Sequence, residues 1–102
     1  MQELSQKEWA KLASSNEDAV IIDVRTDLEL EQGKIPNAKQ MNIQNSAMFI
    51  DKVRQLDPNK HYFIYCRSGA RSAQACMVMN SMGLPNTYNL LGGILDWKGE
   101  LV

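Results

Sequence analysis

Tyr62-Phe63-Ile64-Tyr65-Cys66-Arg67-Ser68-Gly69-Ala70-Arg71-Ser72-Ala73 reads as an apolar, aromatic and β-branched run, then a short polar loop carrying a cysteine, then the opening of a helix. A strand that feeds a helix through a tight loop places that loop at the carboxyl edge of a sheet, where α/β proteins bind ligands. The loop contains a glycine and small side chains, so successive backbone N–H groups are free to turn toward one point. That point lies in front of the next helix's amino terminus, whose partial positive charge favours an anion. A thiolate is an anion. Arg67 and Arg71 bracket the loop, and a cysteine in such an electropositive setting becomes reactive. Cys66 is therefore the candidate catalytic nucleophile. Arg67, Ser68, Gly69, Ala70, Arg71 and Ser72 form the candidate substrate-binding loop, with Arg71 the first choice for an oxyanion-binding cation because its planar fork suits one.

Cys76 reads differently. It falls inside the helix with Ala73, Val78, Met79 and Met82 as apolar neighbours, the pattern of core packing. The two cysteines are ten positions apart, which matches neither a redox CxxC pair nor a zinc motif. No metal or cofactor is expected. His61, the single histidine, precedes the strand at the end away from the loop and reads as a surface residue, not a general base.

Upstream, Ala19-Val20-Ile21-Ile22-Asp23-Val24 is a continuous apolar run, as expected of a strand buried on both faces of a parallel sheet. Ser5-Gln6-Lys7-Glu8 and Thr26-Asp27-Leu28-Glu29 both have the spacing of a capping box, each opening a helix. Leu4 and Trp9 occupy the staple positions of the first helix, and Gly33 stops the second. Arg25 and Glu29 are candidates to pair. A second strand is expected over 38–42, after Ile35-Pro36, and a third helix over 46–56 from Phe49, Ile50, Val53 and Leu56. The helix after the cysteine loop is expected over 72–82, with Gly83 and Pro85 as its stop signal. Thr87 to Leu90 is the last strand, Gly92-Gly93 a sharp turn, and Ile94 to Trp97 a short terminal helix. A weak edge strand is expected over 1–4. Strands alternating with helices predict an α/β fold with a mostly parallel sheet and helices on both faces.

With 102 residues, 44% of them hydrophobic and 23% charged, the chain reads as a single domain over 1–102. A net charge of −1 argues against nucleic acid or an anionic membrane as the principal partner. No apolar run approaches a membrane span, the first residues are unlike a signal peptide, and the expected location is cytoplasmic.

The loop Cys66-Arg67-Ser68-Gly69-Ala70-Arg71-Ser72 resembles the active-site loop of rhodanese-like sulfurtransferases. Asp23-Val24-Arg25 followed by Glu29 and Gly33-Lys34-Ile35-Pro36-Asn37-Ala38 is similar to that family's first signature, and Tyr88-Asn89-Leu90-Leu91-Gly92-Gly93-Ile94 with Trp97 to its closing one. The resemblance implies a rhodanese-like sheet of four or five strands with the Cys66 strand in the middle. It also implies transfer of a sulfane sulfur from a donor such as thiosulfate to a thiol or cyanide, through a persulfide on Cys66. A protein sulfur acceptor is a further possible partner, and Asp23, Arg25 and Glu29 are expected to be structural. Two departures stand out: Lys34 where His is usual, and Asn37 where Gly is usual. Two readings compete. One is a non-enzymatic persulfide carrier or regulatory binding module. The other is a phosphatase or arsenate reductase of related fold, whose loop has one more residue between Cys and Arg than the four found between Cys66 and Arg71.

Overall fold

The computed structural model describes residues 1–102. Five strands form one sheet in the order β1-β5-β4-β2-β3, and every neighbouring pair is parallel. The strands are β1 (Gln2–Leu4), β2 (Ala19–Asp23), β3 (Lys39–Gln40), β4 (His61–Tyr65) and β5 (Thr87–Leu90). The helices are α1 (Gln6–Ser15), α2 (Asp27–Leu30), α3 (Ser46–Arg54) and α4 (Ala70–Ser81), with a 3-10 turn at Ile94–Asp96. As expected, β4 is the middle strand.

Alternation along β4 divides the core in two. Successive strand side chains point to opposite faces, so Tyr62, Ile64 and Cys66 face one way and pack with Phe49 and Val53 of α3 and Ala75, Cys76 and Met79 of α4. Phe63 and Tyr65 face the other way, with Trp9 of α1, Ile35, Leu4 and Leu90. Trp9 lies edge-on to Phe63, Tyr65 and Trp97, an arrangement aromatic quadrupoles favour. The same alternation sends Cys66 toward α4.

Local details match the expected ones at the first strand and the two caps and depart from them elsewhere. The edge strand β1 is real and pairs with β5 in the register Gln2↔Tyr88 to Leu4↔Leu90. Ser5 caps α1 by accepting the Glu8 N–H at 3.3 Å, whereas Thr26 and Glu29 make the full reciprocal box. Strand β3 is two residues long instead of five, although Met41 N–H still donates to the Asp23 carbonyl at 2.8 Å. Helix α3 ends at Arg54, two residues early. Helix α4 starts at Ala70, two residues before the expected Ser72, because Gly69 takes the left-handed conformation (φ 109°) and lets the chain enter the helix at once. His61 is half-buried, with Nδ1 2.8 Å from the Tyr88 hydroxyl and its ring stacked on Tyr88, so it is not a free surface residue. It begins β4, roughly 16 Å of strand from Cys66.

Candidate active site

Cys66 follows directly on β4, at the carboxyl edge of the sheet, and only 1% of its surface is exposed. Arg67, Ser68 and Gly69 make the turn, and α4 begins behind them. Gly69 N–H donates to Cys66 Sγ at 3.1 Å, and the Ser72 hydroxyl lies 3.3 Å from the same sulfur. Burial pushes the Cys66 thiol up. Hydrogen bonds outweigh it, the Ser72 hydroxyl first and then the N–H groups of Ser72, Gly69 and Ser68, so the thiol lies below its ordinary value. Cys76 has no such ring of donors, and burial pushes it up to about 12.

The far side of the loop is tied by main chain. Ile94 N–H donates to the Cys66 carbonyl at 3.0 Å and Leu95 N–H to that of Arg67 at 3.1 Å. This approach requires glycine at 93: a Cβ there would lie 2.7 Å from the Cys66 carbonyl oxygen and closer still to the Arg67 carbonyl.

The two arginines of the loop differ in their partners. Arg71, the expected oxyanion cation, is held by Glu29 through Nη1–Oε1 at 2.7 Å and Nη2–Oε2 at 2.8 Å. Its position in the first turn of α4 points it across the cleft to α2. Arg67 is exposed and makes no side-chain hydrogen bond or ion pair; it lines a cleft of about 500 Å³ with Glu29, Ile94, Leu95 and Leu101. Arg25 does not pair with the Glu29 carboxylate. It is 4% exposed, binds the Asp23 carboxylate at 2.7 Å, and donates to the carbonyls of Gly33 at 2.8 Å and Glu29 at 3.4 Å. Ser68 and Ala70 are exposed at the mouth, and Ser72 is fully buried.

Lys34 donates to the Ala38 carbonyl at 3.4 Å, and Asn37 holds the left-handed conformation (φ 69°) with an asparagine side chain. No group of three or more His, Cys, Asp or Glu side chains is placed to hold a metal ion.

A buried thiol facing backbone donors at the head of a helix, after the central strand of a parallel sheet, is the arrangement the sequence motifs anticipated. A family model described as a rhodanese-like domain matches residues 6–100. The chain belongs to the rhodanese-like family. A sulfurtransferase of Allochromatium vinosum is 34% identical over 95 residues, covering 93% of this chain and 86% of that protein. The crystal structure of a rhodanese-like domain protein from Staphylococcus aureus superposes with a TM-score of 0.85 at 30% identity, over 100% of this chain and 97% of that one. A human single-domain sulfurtransferase shares the fold, with a TM-score of 0.78 at 23% identity over 98% and 99% of the two chains. Together these similarities support a rhodanese-type sulfurtransferase.

Sequence reasoning missed two rhodanese-loop contacts: the Glu29–Arg71 pair, and the Asn89 side chain, which donates to the Gly69 carbonyl at 3.2 Å. Each joins residues distant in sequence, and nothing in local pattern marks them.

Proposed function

We propose that the protein moves a sulfane sulfur from a donor such as thiosulfate to a thiol or cyanide acceptor through a persulfide on Cys66. The observation that supports this most is the pair of donors, Gly69 N–H and Ser72 O–H, aimed at a sulfur that is otherwise buried. In the first step the Cys66 thiolate attacks the outer sulfur of thiosulfate. A Cys66 S–S bond forms, the donor's S–S bond breaks, and its electron pair leaves with sulfite. The acceptor thiolate or cyanide then attacks the terminal sulfur, and the Cys66 thiolate departs with the electron pair. No proton needs to move in either step, which suits a site with no histidine.

Lowering the thiol's pKa contributes little by itself, because a more acidic thiol is also a weaker nucleophile. The larger contribution comes from holding an anionic donor in line with Sγ and from stabilising the persulfide anion among the same N–H groups. Arg67 is the cation free to meet the donor. The short loop and the diversion of Arg71 to Glu29 count against a phosphatase, which needs its arginine on the oxyanion.

Intact mass tests the reading. Thiosulfate is expected to add about 32 Da, one sulfur held as a persulfide, to the native protein and to Cys76→Ser but not to Cys66→Ser. Cyanide then removes it as thiocyanate. Persulfide that survives in Cys66→Ser overturns the assignment, and aryl phosphate turnover faster than thiosulfate turnover overturns the chemistry. Loading without catalytic release to any acceptor would favour the carrier reading.

A further inference from the structure

The Ser72 hydroxyl has one proton and two acceptors within reach: Cys66 Sγ at 3.3 Å and the Gly69 carbonyl oxygen at 3.2 Å. Only a proton turned toward the sulfur stabilises the thiolate. What decides its direction is how well the Gly69 carbonyl is supplied by other donors. Ala73 N–H reaches that oxygen at 3.1 Å and Asn89 Nδ2 reaches it at 3.2 Å. A carbonyl oxygen has two lone pairs, so these two donors suffice, and the Ser72 proton is left to the sulfur.

Asn89 is an unusual residue to find there. It lies in β5, the last strand before the Gly92-Gly93 bend, and it is 1% exposed. Its second Nδ2 hydrogen goes to Glu3 Oε2 on β1 at 3.2 Å, while its own Oδ1 is buried with no partner. Burying an unpaired amide oxygen destabilises a fold, and a leucine of similar size would fill the space without it. The donor side of the amide is what the position uses. Two acceptors facing Nδ2 also fix which way the amide points.

We propose that Asn89 is a positioning residue for Cys66: its amide saturates the Gly69 carbonyl and so directs the Ser72 hydroxyl to the sulfur, with Glu3 holding the amide in that orientation. The proposal rests on Cys66 as the sulfur-carrying thiol, but it concerns the thiol's environment and is tested without sulfur transfer. The charged and titratable groups around the thiol are Arg71 with its partner Glu29, exposed Arg67, Glu3 behind Asn89, the Cys76 thiol of α4 in the same core, and the buried Asp23–Arg25 pair. Replacing Asn89 leaves all of them in the chain.

The test is the pH profile of Cys66 alkylation by iodoacetamide in the unmodified protein, Asn89→Leu, Ser72→Ala and the double variant. In Asn89→Leu the midpoint is expected to move to higher pH, and the rate at neutral pH to fall about 3-fold once the opposing gain in nucleophilicity is counted. In the Ser72→Ala background the same substitution is expected to change nothing further, since the hydroxyl it acts through is gone. A profile that does not move in Asn89→Leu overturns the proposal, as does an equal shift with and without Ser72. The unmodified protein gives a second readout that needs no variant to fold. The Asn89 side-chain amide resonances are expected to titrate with the Cys66 midpoint, and resonances flat through that midpoint overturn the proposal. Failure of thiosulfate to load the native protein would count against the transfer reading alone.

Discussion

Arg71 and Glu29 meet in a two-pronged ion pair across 42 positions of sequence, with both nitrogen–oxygen distances below 3 Å (2.7 and 2.8 Å). The pair joins the first turn of α4, behind the thiol, to α2, which follows β2. Parallel, planar contacts of this kind fix geometry as well as charge. The cationic end of the loop is therefore a strut.

The strut has a pH signature. Arg71 first, and then the Thr26 cap, hold the Glu29 carboxyl down to about 2 from 4.5. The folded value lies below the unfolded one, so the stabilisation is complete above about pH 4.5 and is lost as the pH falls toward 2. Both side chains are 24% exposed, and solvent screening reduces the expected contribution to about 1–2 kcal/mol. Urea midpoints at pH 6 and pH 3 are expected to differ more for the native protein than for Glu29→Gln. Equal drops in the two proteins would remove the pair from the stability of the fold.

Arg67 and Arg71 are expected to fail in different ways. Arg67→Ala removes an unpaired surface cation, so KM for thiosulfate should rise about 5-fold with kcat within 2-fold, and the salt dependence of kcat/KM should weaken. Arg71→Ala leaves Glu29 without its partner and should lower both kcat and the unfolding midpoint. Steady-state kinetics at two ionic strengths, with thermal unfolding alongside, separates the two. A raised KM in Arg71→Ala with unchanged stability would return the donor-binding part to Arg71.

The two thiols should be chemically distinct in the native state. Cys66 lies below its ordinary pKa and Cys76 is held at about 12. Iodoacetamide at pH 8 is expected to add one label to the folded protein, at Cys66 by peptide mass, and two after denaturation. Prompt labelling of Cys76 in the folded protein would contradict the high pKa that burial gives it.

Gly93 is expected to be the least replaceable residue of the closing turn. A Cβ at 93 meets the main chain of Arg67 and Cys66, which cannot swing aside as a side chain would. The backbone there is also left-handed, at φ 61°. Gly93→Ala should lower sulfur transfer by about 100-fold, equal to about 3 kcal/mol of lost transition-state stabilisation. Gly83→Ala is the control: it is also left-handed (φ 94°) but has nothing within 4 Å of its Cβ, so it should cost stability alone. Comparable losses of activity in the two would show that strain, not displacement of the loop, is responsible.

Much of this was legible in the chain because it is written locally. The apolar run of β4, the glycine at 69 and the small residues after it specify strand, turn and helix within a dozen positions. The caps at Ser5 and Thr26 follow from residues three apart. What escaped is what only the assembled sheet creates. Arg25 is four residues from Glu29 and looks like its partner, yet Asp23, two residues away, offers Arg25 a nearer and fully buried carboxylate. Glu29 is then left for an arginine from a different helix. Asn89 reads as one more residue of a strand until β5 lies beside β4 and brings its amide to Gly69. The early start of α4 escaped because a glycine before a helix is as compatible with a longer loop.

An all-parallel sheet also sorts the molecule by consequence. The thiol, its donors and the Gly92-Gly93 bend crowd the rim where the strands end. The rim where β2 and β4 begin carries exposed links at Glu17–Asp18 and Asp57–Lys60. Insertions there would sit a full strand's length from the sulfur, which makes these links natural grafting points for reporters, affinity handles or a tethered sulfur acceptor.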